Sequence, residues 1–144
     1  MPYLSQEQIR DILPQDYPFI MLDYVEDYKE GHWLRAVKNV TANEWPFTHG
    51  QAKTAVFPET LLIEAAAQAA LVLYHITMIA DKNIKPSYIL GKVKVMFVTK
   101  VLFGQKIYID AYATKMIKRG GVSEVNIRSD VSIAKIDLIF KVKR

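Results

Sequence analysis

From Tyr88 onward the chain alternates apolar and polar residues with period two. Val93, Val95 and Phe97 share one side, followed by Ile107, Ile109, Ala111 and Ala113, then by Val125, Ile127, Ser129 and Val131, and finally by Ala134, Ile136, Leu138, Phe140 and Val142. This is the signature of antiparallel strands with one buried face, and Gly104, Gly120-Gly121 and Ser129-Asp130 supply turns between them. The first half reads differently. Ser5 can cap a short helix over Gln6 to Leu13 that ends at Pro14, and an extended run from Ile20 to Asp27 closes near Gly31. A second strand, Trp33 to Thr41, places Leu34, Ala36, Lys38 and Val40 on one side. After a loop from Ala42 to Phe57, the segment Thr60 to Ala80 has no Gly or Pro and holds Glu64, Gln68 and His75 in an otherwise almost wholly apolar stretch, with Pro58 where a helix can begin.

Such a helix either spans a membrane or is enclosed by its own protein. An internal Glu and Gln, with amphiphilic strands behind them, favour enclosure. A sheet with one buried face needs a cover, and this helix is the element available for it. The expected architecture is α+β: one long central helix wrapped by a curved antiparallel sheet, as a single domain over residues 1–144.

Composition narrows the chemistry. With 144 residues, 51% apolar and 24% charged, the chain can build one real core, and with no cysteine it has neither disulfides nor thiolate metal sites. Its start resembles neither a secretory signal nor a spanning helix, so a cytoplasmic location is expected and no membrane association. The net charge of +4 comes with a dense basic group, Lys115, Lys118, Arg119, Lys141, Lys143 and Arg144. These are ordinary solvated cations or a weak field for an acidic partner. No zinc spacing or aromatic-basic strand signature supports nucleic acid. Three histidines without a ligand spacing, and the lack of a Gly-rich phosphate loop ahead of a helix, lead to the expectation of no metal and no cofactor.

Several stretches together resemble the β-hydroxyacyl-acyl-carrier-protein dehydratases, whose fold is the hotdog. They are Ile12-Leu13-Pro14 with Tyr17-Pro18-Phe19-Ile20-Met21-Leu22-Asp23, Lys38 to Glu44, Leu61 to Ala70, and Phe97 to Gly104, which lacks the family's prolines. The resemblance covers almost the whole chain. It implies elimination of water from a 3-hydroxyacyl thioester carried by acyl carrier protein or coenzyme A, to give a trans-2-enoyl thioester in fatty-acid or polyketide- or polyene-type synthesis. It further implies a homodimer, capable of higher assembly, in which two sheets join edge to edge and each site borrows from both subunits.

Family members pair a helix glutamate with a loop histidine. The glutamate falls on Glu64. The histidine of the family's Gly-His-Phe-Pro-Gly loop stands fourteen residues before the acid, a position held here by Gly50, whereas His49 stands fifteen before it. That loop reads His49-Gly50-Gln51-Ala52-Lys53, and the family's Met-Pro-Gly before the helix reads Phe57-Pro58-Glu59. The resemblance thus implies Glu64 as acid and His49 as base, with Gly50, Pro58, Glu59, Gln68 and Phe97 as substrate contacts. The chemistry needs a base at C2 and an acid or strong donor at the departing hydroxyl. Helix-start N–H groups at Pro58 to Thr60 can hold the thioester oxygen, although Glu59 brings a repelling charge there.

Each residue also has a plainer role open to it. Glu64 can be a structural hydrogen-bonding carboxylate, His49 a loop residue without chemical duty, and Ala65, Ala66, Ala67, Ala69 and Ala70 simple helix formers that pack closely. Gln68, one turn beyond Glu64, can orient its carboxyl or a loop backbone. His75 lies on the same face, about 16 Å along the axis, too far for a dyad within one subunit, and His32 is expected at the surface. Two other functions stay open: a silent acyl-thioester or carrier-protein binding subunit, and a thioesterase that uses Glu64 alone.

Overall fold

The computed structural model describes residues 2–15, 19–41, 56–79, 84–102 and 104–143. Helix α1 spans Gln6–Ile12, and a capping box between Ser5 and Gln8 closes its start. Strands β1 (Tyr24–Lys29) and β2 (Trp33–Asn39) form a hairpin about Gly31, whose φ of 77° suits a residue without Cβ. Helix α2 runs Glu59–Met78, and β3 (Ser87–Phe97), β4 (Lys106–Ile117), β5 (Gly120–Arg128) and β6 (Ser132–Lys143) complete the chain.

The six strands form one antiparallel sheet in the order β1-β2-β4-β5-β6-β3. Registers shift at Val25/Asp27, Leu90/Lys92 and Ala113/Lys115, and such bulges add the local bend by which a sheet curls round a helix. Helix α2 lies against β2, β4, β5 and β6. Ala65, Ala66, Ala69 and Ala70 are fully buried there, their small side chains bringing helix and sheet close. The helix is long and apolar enough to cross a bilayer, and the sheet buries most of it instead. The expected helix in a curved antiparallel sheet is the observed fold.

Three local expectations change. Phe97 does not share the burial of its alternating partners: it ends β3 at the sheet edge and is 39% exposed. Ser129 and Val131 do not continue β5, which stops at Arg128, and Val131 is exposed in the turn before β6. The turn expected at Gly120-Gly121 falls two residues earlier, at Lys118 and Arg119, with both glycines inside β5. Lys38 sits among the inward residues of β2 as its parity requires, 5% exposed, with its ammonium 5.6 Å from the Phe57 ring centre.

Candidate active site

Glu64 stands in the second turn of α2, half-buried. Its Oε1 accepts hydrogen bonds from Gln68 Nε2 at 3.0 Å and from Gln15 Nε2 at 3.2 Å. No donor among the described residues reaches Oε2. The carboxylate is therefore anchored through Oε1 by two side-chain amides.

Gln68 is fully buried and has its own partners satisfied. Its Oε1 accepts from the Met21 N–H at 2.8 Å and its Nε2 donates to the Phe19 carbonyl at 2.6 Å. One amide thereby fastens the stretch before β1 to α2 and orients Glu64, as its place one turn from Glu64 suggests. Gln15 is the neighbour that sequence reasoning missed. It follows the Pro14 break at the end of α1 and is separated from Glu64 by 49 positions, so no local pattern announces it.

Beside Glu64 lies a cavity of about 130 Å³. Ala67 and Leu71 of α2, Leu138 and Phe140 of β6, and Tyr88 and Leu90 of β3 line it, together with Pro14 and Gln15. A carboxylate on the lining of a largely apolar slot is suited to act on a polar centre that carries a hydrocarbon tail.

Pro58 is the N-cap of α2, with no side-chain cap, and Glu59 opens the helix exposed to solvent. The approach is tied down by the Phe57 N–H, which donates to the Val101 carbonyl at 2.8 Å. Glu59 precedes Glu64 by five residues, about 7.5 Å along the axis. Phe97 is not among the residues lining the cavity. His49 and Gly50 lie outside the described residues. His32 is exposed, and His75 is 3% exposed, three turns beyond Glu64, with neither ring nitrogen hydrogen-bonded. Burial holds its pKa below the usual imidazole value.

Solved structures share this fold. A chain of the dehydratase heterocomplex ApeI:P from Xenorhabdus doucetiae superposes with a TM-score of 0.80 over 95% of this chain and 91% of its own, at 18% identity. An uncharacterized protein, PH1136 from Pyrococcus horikoshii, does so with a TM-score of 0.66 at 16% identity, covering 98% and 94%. These likenesses define a hotdog-fold protein.

Residues 13–142 match the family model of the FabA-like domain, and the chain belongs to that family. The 3-hydroxyacyl-[acyl-carrier-protein] dehydratase FabZ of Vibrio cholerae is 34% identical over 130 residues, which cover 90% of this chain and 80% of the relative. The enzyme of the same name from Haemophilus ducreyi is 53% identical over 66 residues, 46% of this chain and 43% of the relative. Across that stronger local match the chain spans less than half the relative's length.

Proposed function

We propose that the protein eliminates water from 3-hydroxyacyl thioesters borne on acyl carrier protein, giving the trans-2-enoyl thioester. The observation that carries this reading is the carboxylate of Glu64, held through Oε1 by Gln68 and Gln15 on the lining of a largely apolar slot. Glu64, in its acid form, gives a proton to the departing 3-hydroxyl, which leaves as water. His49 takes the proton from C2, and the electron pair of the broken C–H bond forms the new double bond. The family membership and the FabZ-type relatives support the same reading. Gly50, Pro58, Glu59 and Phe97 remain the proposed substrate contacts, and Gln68, expected among them, acts instead through Glu64 as a positioning residue.

The working unit is a homodimer joined along β3, in a soluble, cytoplasmic fatty-acid-synthesis setting. Lys115 of β4, Lys118 and Arg119 of the β4–β5 turn, and Lys141 and Lys143 of β6 are exposed. Pairing of Gly120 with Lys141 brings them to one end of the sheet, where they present positive charge to an acidic carrier.

The test is product analysis with a 3-hydroxyacyl carrier protein. Enoyl thioester without free thiol is expected. Glu64→Gln and His49→Ala should each lower kcat about 10²- to 10⁴-fold, the usual weight of general acid–base catalysis. Free thiol as the product would instead mean a thioesterase, and full activity of both variants would place the chemistry elsewhere. A second reading, a subunit that binds the thioester and leaves proton abstraction to a different hotdog chain, is favoured by the one-position displacement of His49 and by the heterocomplex found for a structural neighbour. It predicts elimination only after that second chain is added.

A further inference from the structure

Two glutamines hold Glu64, and their own constraints differ. Gln68 cannot turn its amide over: Oε1 accepts from the Met21 N–H, and the two hydrogens of Nε2 go to the Phe19 carbonyl and to Glu64 Oε1. It is a donor to Glu64 whether the carboxyl is ionised or not. Gln15 donates from Nε2 to the same Glu64 oxygen at 3.2 Å, while its own Oε1 is buried and meets no donor among the described residues. Burying an acceptor without a donor opposes folding, so stability alone does not account for a glutamine at this position.

The backbone that carries Gln15 is firmly placed. Helix α1 is closed at its start by the Ser5–Gln8 box, and at its end the Leu13 N–H donates to the Ile9 carbonyl at 2.9 Å. Ile9 and Leu13 are fully buried, and the Gln6 amide reaches the Leu22 carbonyl at 3.2 Å. Gln15 stands just beyond the Leu13 cap and Pro14, so its side chain is presented to Glu64 from a fastened support. Both amide bonds to Glu64 lie within one chain, whatever a second subunit adds to the slot.

This arrangement assigns the two carboxyl oxygens different tasks. The last torsion of a glutamate is soft, and a single donor leaves the carboxyl able to rock about it; a second donor from another element opposes that motion. An oxygen that accepts two N–H bonds has no place for a proton between them, so in the acid form of Glu64 the proton sits on Oε2. Resting on the elimination reading above, we propose that Gln15 is a positioning residue for the reaction: with Gln68 it commits Oε1 to accepting and sets the Oε2 hydroxyl towards the departing group. The proton passes from Oε2 to the 3-hydroxyl oxygen as the C3–O bond breaks, and the electron pair of that bond leaves with the water. Oε1 keeps the resulting carboxylate charge paired with two N–H groups. The segment after α1 thus acts on the chemistry through Glu64.

Gln15→Leu removes the donor and the unpartnered acceptor together. Its urea midpoint should match or exceed that of the wild type, whereas kcat with a 3-hydroxyacyl carrier protein should fall about 10- to 100-fold and KM stay within about twofold. Gln15→Glu, which sets an acceptor against Glu64 in an unchanged outline, should lower kcat at least as far, and serves if the leucine variant does not fold. A spectroscopic signature reads the same contact without turnover. In protein labelled with carbon-13 at the glutamate δ-carbons, the Glu64 resonance, assigned by its loss in Glu64→Gln, should move in Gln15→Leu, or in Gln15→Glu if that is the folded variant. Wild-type kcat in a folded variant, a rise in KM alone, or an unmoved Glu64 resonance would overturn the proposal. A moved resonance in a protein that forms no enoyl thioester would leave the tie between Gln15 and Glu64 standing and refute the elimination reading instead.

Discussion

At the scale of single residues, two polar side chains of α2 face the same apolar interior and have opposite fates. Gln68 is buried with its amide fully engaged, so its desolvation is offset by hydrogen bonds to Phe19, Met21 and Glu64. His75 is buried with both nitrogens unpaired, beside a cavity of about 960 Å³ whose lining includes Asp11, Glu30 and Lys85. Its folded pKa lies below the usual value of about 6.5. The unfolded chain therefore binds a proton first as pH falls, and the stability held above pH ~6.5 is lost on going down from there towards the folded pKa. Subtracting the stability profile of His75→Leu from that of the wild type cancels the other two histidines. The difference should be flat above pH ~7 and should turn against the wild type below ~6.5; a flat difference down to pH 5 would mean that His75 does not titrate in this way.

Elements show how far pattern reading reaches and where it stops. The period-two runs locate β3 to β6, and the Gly- and Pro-free apolar stretch locates α2, because in each case one local periodicity reports one buried face. Phe97 and Val131 break that logic: parity says which way a side chain points, but not where a strand ends or whether another strand lies beyond it. The site divides along the same line. Glu64 and Gln68 are legible because they are polar interruptions on one helix face, whereas Gln15, Tyr88 and Phe140 join them only through long-range packing that no window of sequence contains. Gly121 is a turn residue by pattern and a packing residue in fact. An alanine there would meet the Phe140 ring at 2.9 Å and the Lys115 carbonyl oxygen at 3.0 Å, so Gly121→Ala should cost about 1–3 kcal/mol by overpacking. Urea unfolding of the variant checks this, and a loss below a few tenths of a kcal/mol would show that strand and ring yield.

For the whole molecule the unresolved balance is at the sheet's two edges. The β1 edge is short, and Leu4 bridges to Val25 there. The β3 edge is eleven residues long, pairs with β6 on one side only, and exposes Ile89, Leu90, Met96 and Phe97. A long apolar edge invites pairing with another strand, while the exposed Lys92 and Lys94 oppose indiscriminate pairing and favour a partner in one defined register. Leu90 belongs both to this edge and to the slot beside Glu64, so covering the edge also completes a wall of the slot. Assembly and activity should therefore fail together. In sedimentation equilibrium the protein should run as a dimer, and Met96→Asp combined with Ile89→Asp, which adds four like charges across a symmetric β3–β3 junction, should give a folded monomer with at least tenfold weaker elimination. A monomeric wild type with full activity would break that link, since one chain would then hold the acyl group without a second sheet against β3.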